Sequence, residues 1–397
     1  MTSRALLATI FTLFTTTFVF AAVDDTPVAT VLCYHIVESP QDPRMEISRE
    51  TFHQQMRYLA MTGYNVIPLK DLYDFVTGKR TSIPKNSVVI TIDDGWRSTY
   101  TEVFPEMQKR KFPFTVFIYP KIIGQTAHAL TWKQVKEMSD AGVDIESHSF
   151  SHPFLTQRRH PDVDNHSYQE WLEHELADSR KLIARETGRD VEFLAYPYGD
   201  YNHQLVASVG KAGYAAALTC DYGRVKRGSD PLRMKRMVVD KHMDFAAFRH
   251  YLGAGTMPIE DTLPAPTQVF EPAQPIIVSA KLPNHKSLDP SSIGMALLSP
   301  SSAASPFSYD PKDGSISMTL HDALENLRGK YQRAIIWATE TKTGRRVEAS
   351  WTFKIPDQLL PLPTVTPVAP ATLTPSTTST VATSGGSPQA SLRSPKK

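Results

Sequence analysis

The sequence has little cysteine, almost no excess of charge and few long apolar runs. Only Cys33 and Cys220 are cysteines among its 397 residues, which excludes a disulfide scaffold but leaves open whether the two are bridged. The 43 basic and 41 acidic side chains leave a net charge of +2, which gives no case for binding nucleic acid or an anionic membrane surface. With 41% hydrophobic residues, the chain can still form a sizeable core.

Residues 1–22 have the pattern of a secretory signal peptide. Arg4 supplies a positive charge, residues 5–20 carry none, and residues 19–21 offer small or apolar side chains at the expected cleavage site. The alternative is an uncleaved anchor, but the apolar run is short for a span of about 20 residues. We therefore expect a secreted or periplasmic protein with no transmembrane segment in its mature chain.

The rest of the chain changes character near residue 254. Strand and helix patterns alternate before it, which indicates a parallel sheet in an α/β barrel or a distorted relative of one. After a proline-rich stretch the hydrophobic period becomes two, which is typical of a small all-β sandwich. The expected order is a signal peptide over 1–22, the α/β domain over 28–254, a linker over 255–272, an immunoglobulin-like β-sandwich over 273–356 and a disordered Pro/Ser/Thr-rich tail over 357–397.

The predicted sandwich has no cluster of catalytic side chains. Trp337 and Trp351 fall on its strands, and we expect them to pack inward rather than to form a sugar-stacking platform. A sandwich that follows a secreted enzyme can hold a polymer or a protein partner, but this expectation is an analogy between folds.

Two adjacent carboxylates follow the predicted buried strand VVITI. Asp93 and Asp94 stand at its end, and Gly95 then breaks the strand. Adjacent side chains at a strand end point in different directions, so the two acids can hold different jobs. The alternative is a simple Asp-Gly turn with a helix cap.

Two histidines follow another predicted strand, at a spacing of four. No glutamate lies between His148 and His152, which excludes the HExxH pattern of zinc proteases. The carboxyl ends of parallel strands meet on one face of a sheet, so Asp94 can join both imidazoles in a two-histidine, one-carboxylate metal set. After a third strand, Pro197 can hold a tight turn that aims the amide of Tyr198.

In this order, the motifs ITIDDG, SHSFSH and AYPYG resemble the polysaccharide deacetylase family, or NodB-homology domain, over about residues 28–252. The early motif VLCYH is similar to the branch that deacetylates poly-β-1,6-N-acetylglucosamine in biofilms. The resemblance implies a distorted (β/α) barrel and a hydrolase that removes acetyl groups from sugars with one divalent metal, zinc in preference to cobalt or nickel. The implied metal ligands are Asp94, His148 and His152.

The resemblance also implies roles for four other residues. Asp93 would be the general base and His35 the acid that protonates the departing amine. The backbone amide of Tyr198 would stabilise the oxyanion, and Pro197 with Tyr198 would contact substrate. Without the resemblance, a buried strand histidine is the preferred interpretation of His35.

Two departures from the family pattern stand out. The arginine that commonly opens the third motif and orients the base is Ala195 here. Arg236 and Arg97 are the candidates to replace it. The fourth motif, with its tryptophan, is not recognisable around residues 221–222.

The expected function is N-deacetylation of an extracellular or periplasmic polysaccharide resembling poly-N-acetylglucosamine. One alternative is a deacetylase of peptidoglycan or chitin-like chains, and another is a catalytically silent sugar-binding protein of the same fold. The presence of Asp93 argues against the last, since a binding protein needs no base.

Overall fold

The computed structural model describes residues 28–38, 45–156, 168–253, 255–265, 275–297, 306–320 and 331–355. The predicted signal peptide and tail lie outside these residues, as do residues 266–272 of the predicted linker. None of the helices within them is long and apolar enough to span a membrane.

The N-terminal part alternates strands with helices. Its strands are β1 (Val28–Tyr34), β2 (Ile36–Val37), β3 (Glu46–Ile47), β4 (Asn65–Val66), β5 (Ser87–Ile92), β6 (Thr115–Ile118), β7 (Asp144–Ser147), β8 (Phe193–Ala195), β9 (Ala216–Leu218), β10 (Val225–Lys226) and β11 (Met237–Val238). Its helices are α1 (Arg49–Met61), α2 (Leu69–Val76), α3 (Phe104–Arg110), α4 (Trp132–Asp140), α5 (Tyr168–Glu173), α6 (Ser179–Thr187), α7 (His203–Lys211) and α8 (Phe245–Gly253).

Helix α1 shows how the local sequence sets an element. The Oγ atom of Ser48 accepts a hydrogen bond from the amide of Thr51 at 3.1 Å, which satisfies one free donor at the helix start. Its apolar stripe of Phe52, Met56 and Leu59 is fully buried, as the spacing predicts.

Nine strands form one curled sheet in the order β10-β1-β5-β6-β7-β8-β9, with β4 on β5 and β11 on β1. The pairs are parallel except for β10 with β1. Residues 234–238 link the β9 end of this sheet to β1. Met234 exchanges hydrogen bonds with residues 217 and 219 at β9, and β11 pairs with β1. The curled sheet of mixed strands fits a distorted barrel.

The pleat of this sheet sorts its side chains into two clusters. Val31 and Val89 belong to one cluster, together with residues of α2, whereas Leu32 and Ile90 belong to the other, with the apolar stripes of the remaining helices. Since alternate side chains of a strand point to the same face, Asp93 lies on the same face as Val89. The fold therefore directs Asp93 toward the first cluster.

The C-terminal part consists of strands in two sheets. They are β12 (Gly255–Thr256), β13 (Glu260–Leu263), β14 (Ile276–Lys281), β15 (Gly294–Leu297), β16 (Phe307–Tyr309), β17 (Ser315–Leu320), β18 (Tyr331–Thr339) and β19 (Arg346–Lys354). The sheet orders are β12-β19-β18-β15 and β13-β14-β17-β16, and one hydrophobic cluster draws on both sheets. Trp351 is buried in that cluster, whereas Trp337 is half-buried against the guanidinium of Arg346.

The expectation of a linker over residues 255–272 is wrong for its first part. Strand β12 pairs with β19, and β13 pairs with β14. Strand β13 has the sequence Glu-Asp-Thr-Leu at a sheet edge, where its side chains are mostly exposed. Backbone pairing at an edge does not require an alternating apolar pattern, so the sequence carries no strand signal there.

Candidate active site

The two acids after β5 are separated by the backbone. Asp93 lies on the same face of the sheet as Val89 and is 1% exposed. Asp94 has φ of +80° and Gly95 has φ of +86°, so the chain turns sharply between the two side chains. The positive φ of Gly95 favours glycine there, and a Cβ atom would also lie only 3.0 Å from Ile123 Cδ1. The result is one buried acid and one acid at the rim.

Asp94 meets the two histidines that follow β7. Its Oδ1 atom lies 3.6 Å from Nε2 of His148 and 3.4 Å from Nε2 of His152. The two Nε2 atoms are 3.1 Å apart. The structure thus brings together the three residues that the sequence predicts as metal ligands.

The donor atoms of this group suit a divalent metal ion. Oδ1 of Asp94 is buried and has no hydrogen-bond partner among the described residues. Nδ1 of His148 lies 2.7 Å from the carbonyl oxygen of Ala195, which can only accept, so Nε2 keeps its lone pair. Burial lowers the pKa of His152 to about 4, which leaves that ring neutral at pH 7. Two neutral imidazoles and one carboxylate form a donor set that zinc accepts.

Asp93 forms a buried ion pair with Arg236. Nη1 of Arg236 lies 2.8 Å from Oδ1 of Asp93, and the two side chains are 0% and 1% exposed. Burial by itself would raise the pKa of Asp93, but the guanidinium of Arg236 holds it well below its usual range. Asp93 is therefore ionised at neutral pH, as a general base must be.

The position of Arg236 follows from the closure of the sheet. It lies in the segment 234–238, between β9 and β1, and its Nε donates to the carbonyl oxygen of Thr219 at 2.9 Å. Its Nη1 also donates to Oγ1 of Thr91 at 3.3 Å. Arg97, the other candidate, is exposed and forms no ion pair with any described residue. Of the two candidates, the structure places only Arg236 against Asp93.

Both cysteines contact this ion pair, which the sequence does not predict. Sγ of Cys33 donates to Oδ2 of Asp93 at 3.5 Å, and Nη2 of Arg236 donates to Sγ of Cys220 at 3.8 Å. The two residues are free thiols. The sequence does place Cys33 on the same face of β1 as Val31, because the two are two residues apart, and this is the face toward which Asp93 points.

His35 follows β1 at the same end of the barrel. One of its ring nitrogens lies within 4.8 Å of both Sγ of Cys33 and a carboxylate oxygen of Asp93. Its Nδ1 is buried without a hydrogen-bond partner among the described residues. These three residues also form a possible donor group, but Arg236 already occupies Asp93, so the Asp94 group suits a metal better.

The turn after β8 places Tyr198 beside the histidines. Residues 197–199 form a single helical turn in which Tyr198 has φ of +60°. Its ring is 50% exposed, stacks on Phe154 at 3.9 Å between centroids and meets the ring of His152 at 4.5 Å. Pro197 is buried at the start of this turn. The turn forms one wall beside the candidate metal centre.

Residues 80–217 match the family model described as polysaccharide deacetylase. The chain contains a polysaccharide deacetylase domain. Two curated relatives agree with this identification. The YxkH protein of Bacillus subtilis is 29% identical over 222 residues, which are 56% of this chain and 75% of that protein. The poly-β-1,6-N-acetyl-D-glucosamine N-deacetylase of Staphylococcus epidermidis is 26% identical over 199 residues, which are 49% of this chain and 68% of that enzyme.

Solved structures also resemble the deacetylase domain. IcaB from Ammonifex degensii superposes with a TM-score of 0.51 at 26% identity and covers 57% of this chain and 98% of its own. The Streptococcus pyogenes deacetylase PplD, solved in complex with acetate, superposes with a TM-score of 0.50 at 23% identity and covers 57% of this chain and 99% of its own. The family predicted from the three motifs is confirmed.

Proposed function

We propose that this protein is a metal-dependent hydrolase that removes N-acetyl groups from a polysaccharide resembling poly-N-acetylglucosamine. The strongest support is that a buried ion pair and a candidate metal site lie next to each other at the end of β5. Asp93 is buried and ion-paired with Arg236, while the neighbouring Asp94 faces His148 and His152. A base beside a metal set is the arrangement that metal-assisted hydrolysis needs.

The ligands of the metal would be Asp94, His148 and His152. A divalent ion bound there would act as a Lewis acid toward the acetyl carbonyl and make an attacking water more acidic. Nε2 of His148 lies 3.7 Å from Oδ2 of Asp93, so the base stands directly against this group.

The remaining steps would be carried out by side chains of the chain itself. Asp93 would take a proton from the attacking water, and His35 would donate one to the departing amine. The backbone amide of Tyr198 would donate to the oxygen on which negative charge develops. Pro197 would set the turn that aims this amide, and Pro197 and Tyr198 would contact the sugar.

The substrate assignment rests on relatives and on the early motif VLCYH. The Staphylococcus epidermidis relative is named for action on poly-β-1,6-N-acetyl-D-glucosamine. The signal-like pattern of residues 1–22 supports action outside the cytoplasm, in secretion or in a periplasm. Peptidoglycan or chitin-like chains are the alternative substrates.

A catalytically silent sugar-binding protein is the alternative from another class. The buried Asp93–Arg236 pair argues against it, because burying two charges is costly and a binding site for neutral sugar needs no ionised base.

The test is acetate release from N-acetylglucosamine oligomers with β-1,6 or β-1,4 linkage, using zinc-loaded and metal-stripped protein. We expect release from the β-1,6 oligomer that requires metal. Preference for the β-1,4 oligomer would favour the alternative substrates. Binding of the oligomers without release of acetate would overturn the enzyme assignment.

A further inference from the structure

A cleft of about 790 Å³ lies between the deacetylase domain and the sheet that contains β18 and β19. Tyr198, Tyr222 and Tyr251 line it from the deacetylase domain, and Arg333 and Thr352 line it from the sheet. Sites for small molecules commonly have volumes of roughly 300–1,000 Å³. The cleft lies within this range and is far larger than an acetyl group.

The cleft borders the candidate active site at Tyr198. Tyr198, in its wall, meets the ring of His152 at 4.5 Å. Met237, also in the wall, directly follows Arg236, which holds the base. A chain that passes the metal centre can thus extend into the cleft.

The side chains of β18 and β19 alternate between the core and the cleft. Arg333 and Thr352 stand opposite each other in the antiparallel pair, so they form neighbours on one face. The adjacent pair, Ala334 and Trp351, is buried in the hydrophobic cluster of the two sheets. The polar face of this sheet is consequently the one that points toward the deacetylase domain.

Polar contacts join the two walls. The amide of Tyr222 donates to Oγ of Ser350 at 2.9 Å. His250 of α8 lies 3.4 Å from the buried carboxylate of Glu348. These contacts tie β19 to the deacetylase domain.

The chemistry of the lining suits a sugar chain. The rings of Tyr222 and Tyr251 meet edge to face at 5.3 Å, and tyrosine offers an apolar face together with a polar hydroxyl. Arg333 and Thr352 add donors opposite them, and Asp240 adds an acceptor at the same wall as the tyrosines. Hydroxyl and acetamido groups of a sugar can pair with each of these groups.

We propose that this cleft is a polysaccharide subsite, which holds the sugar residues next to the one that is deacetylated. The sheet of β18 and β19 then supplies one wall of the substrate path. The proposal rests on the proposed function, since it takes the same polymer as its ligand.

The test compares an N-acetylglucosamine hexamer with a dimer, both β-1,6-linked. The hexamer-to-dimer ratio of kcat/KM is measured for the wild type, Arg333→Ala and Thr352→Ala, and thermal unfolding shows that each variant is folded. We expect Arg333→Ala to lower the ratio by about tenfold, as the loss of a hydrogen bond to a charged group predicts. Lys342→Ala, which removes an exposed charge from the turn between β18 and β19, is the matched control and should leave the ratio at its wild-type value.

Calorimetric binding of the hexamer separates this proposal from the proposed function. Hexamer binding that Arg333→Ala weakens, without acetate release by the wild type, would support the cleft and refute the enzyme assignment. Acetate release with equal kcat/KM for hexamer and dimer, or with the same ratio in Arg333→Ala and Lys342→Ala, would refute the cleft alone.

Discussion

The Nη1 atom of Arg236 lies 2.8 Å from Oδ1 of Asp93, although 143 residues separate the two along the chain. Family resemblance implies an arginine in the third motif to orient the base, and Ala195 occupies that place. The segment that closes the barrel instead brings a guanidinium to Asp93 from another direction. We propose that Arg236 performs the orienting role.

Replacing Arg236 should damage both folding and activity. Arg236→Met leaves Asp93 buried and unpaired, which should lower the free energy of unfolding by about 3–5 kcal/mol. Acetate release should fall by at least about 100-fold, because Asp93 loses both its orientation and the charge that keeps it ionised. Arg236→Lys keeps the charge but loses the forked geometry of the guanidinium. Its stability and its rate of acetate release should therefore lie between those of the wild type and of Arg236→Met.

Arg97→Ala is the matched control for this series, as it removes an exposed guanidinium three residues past Asp94. Denaturant unfolding and acetate release are measured for all variants. Equal losses in Arg236→Met and Arg97→Ala would refute the orienting role of Arg236.

The turn at Gly199 should tolerate no side chain. A Cβ atom there would lie 2.6 Å from Cβ and 2.8 Å from the backbone nitrogen of Cys220. Gly199→Ala should therefore displace Tyr198 and reduce acetate release by about tenfold, with a loss of unfolding free energy of about 1–3 kcal/mol.

Gly124→Ala separates this steric effect from backbone strain. Gly124 has φ of +77°, close to the +69° of Gly199, but a Cβ atom there would meet nothing within 4 Å. In both variants the alanine would be strained by a left-handed backbone conformation, but only Gly199→Ala should lose activity. Similar activity in the two variants would mean that the contact with Cys220 is unimportant.

Asp144 should make stability depend on pH. Burial raises the pKa of its carboxyl, although Thr115 Oγ1 donates to it at 2.9 Å. A raised folded-state pKa means that the unfolded chain ionises first, so stability falls as pH rises from the unfolded pKa of about 3.9 to the folded value. Asp144→Asn removes this loss, so its stability relative to the wild type should increase as the pH rises from 4 to 8.

Denaturant unfolding at pH 4, 6 and 8 checks this expectation. Asp190→Asn, at an exposed position before β8, is the control and should show no such trend. A constant difference between Asp144→Asn and the wild type across this range would contradict the assignment.

The sequence predicts the grouping of Asp94, His148 and His152 because each belongs to a motif at the end of a parallel strand. It does not separate Arg236 from Arg97, since that choice depends on how residues 234–238 close the sheet. Local patterns do not encode such long-range closure.

The contacts of Cys33 and Cys220 with the ion pair are likewise set by tertiary packing, 187 positions apart in sequence. The sequence does not predict strands β12 and β13 for a related reason, because edge pairing is carried by backbone groups rather than by an apolar pattern. The immunoglobulin-like character of the C-terminal sheets stays a prediction.

The most direct test of the account compares the wild type with Asp93→Asn, both loaded with zinc. Acetate release from the β-1,6-linked hexamer and zinc affinity by calorimetry are measured on the same preparations. The account predicts that Asp93→Asn binds zinc about as tightly as the wild type but releases acetate about 100-fold to 10,000-fold more slowly, the usual contribution of a general base. Acetate release at the wild-type rate by zinc-bound Asp93→Asn would contradict it.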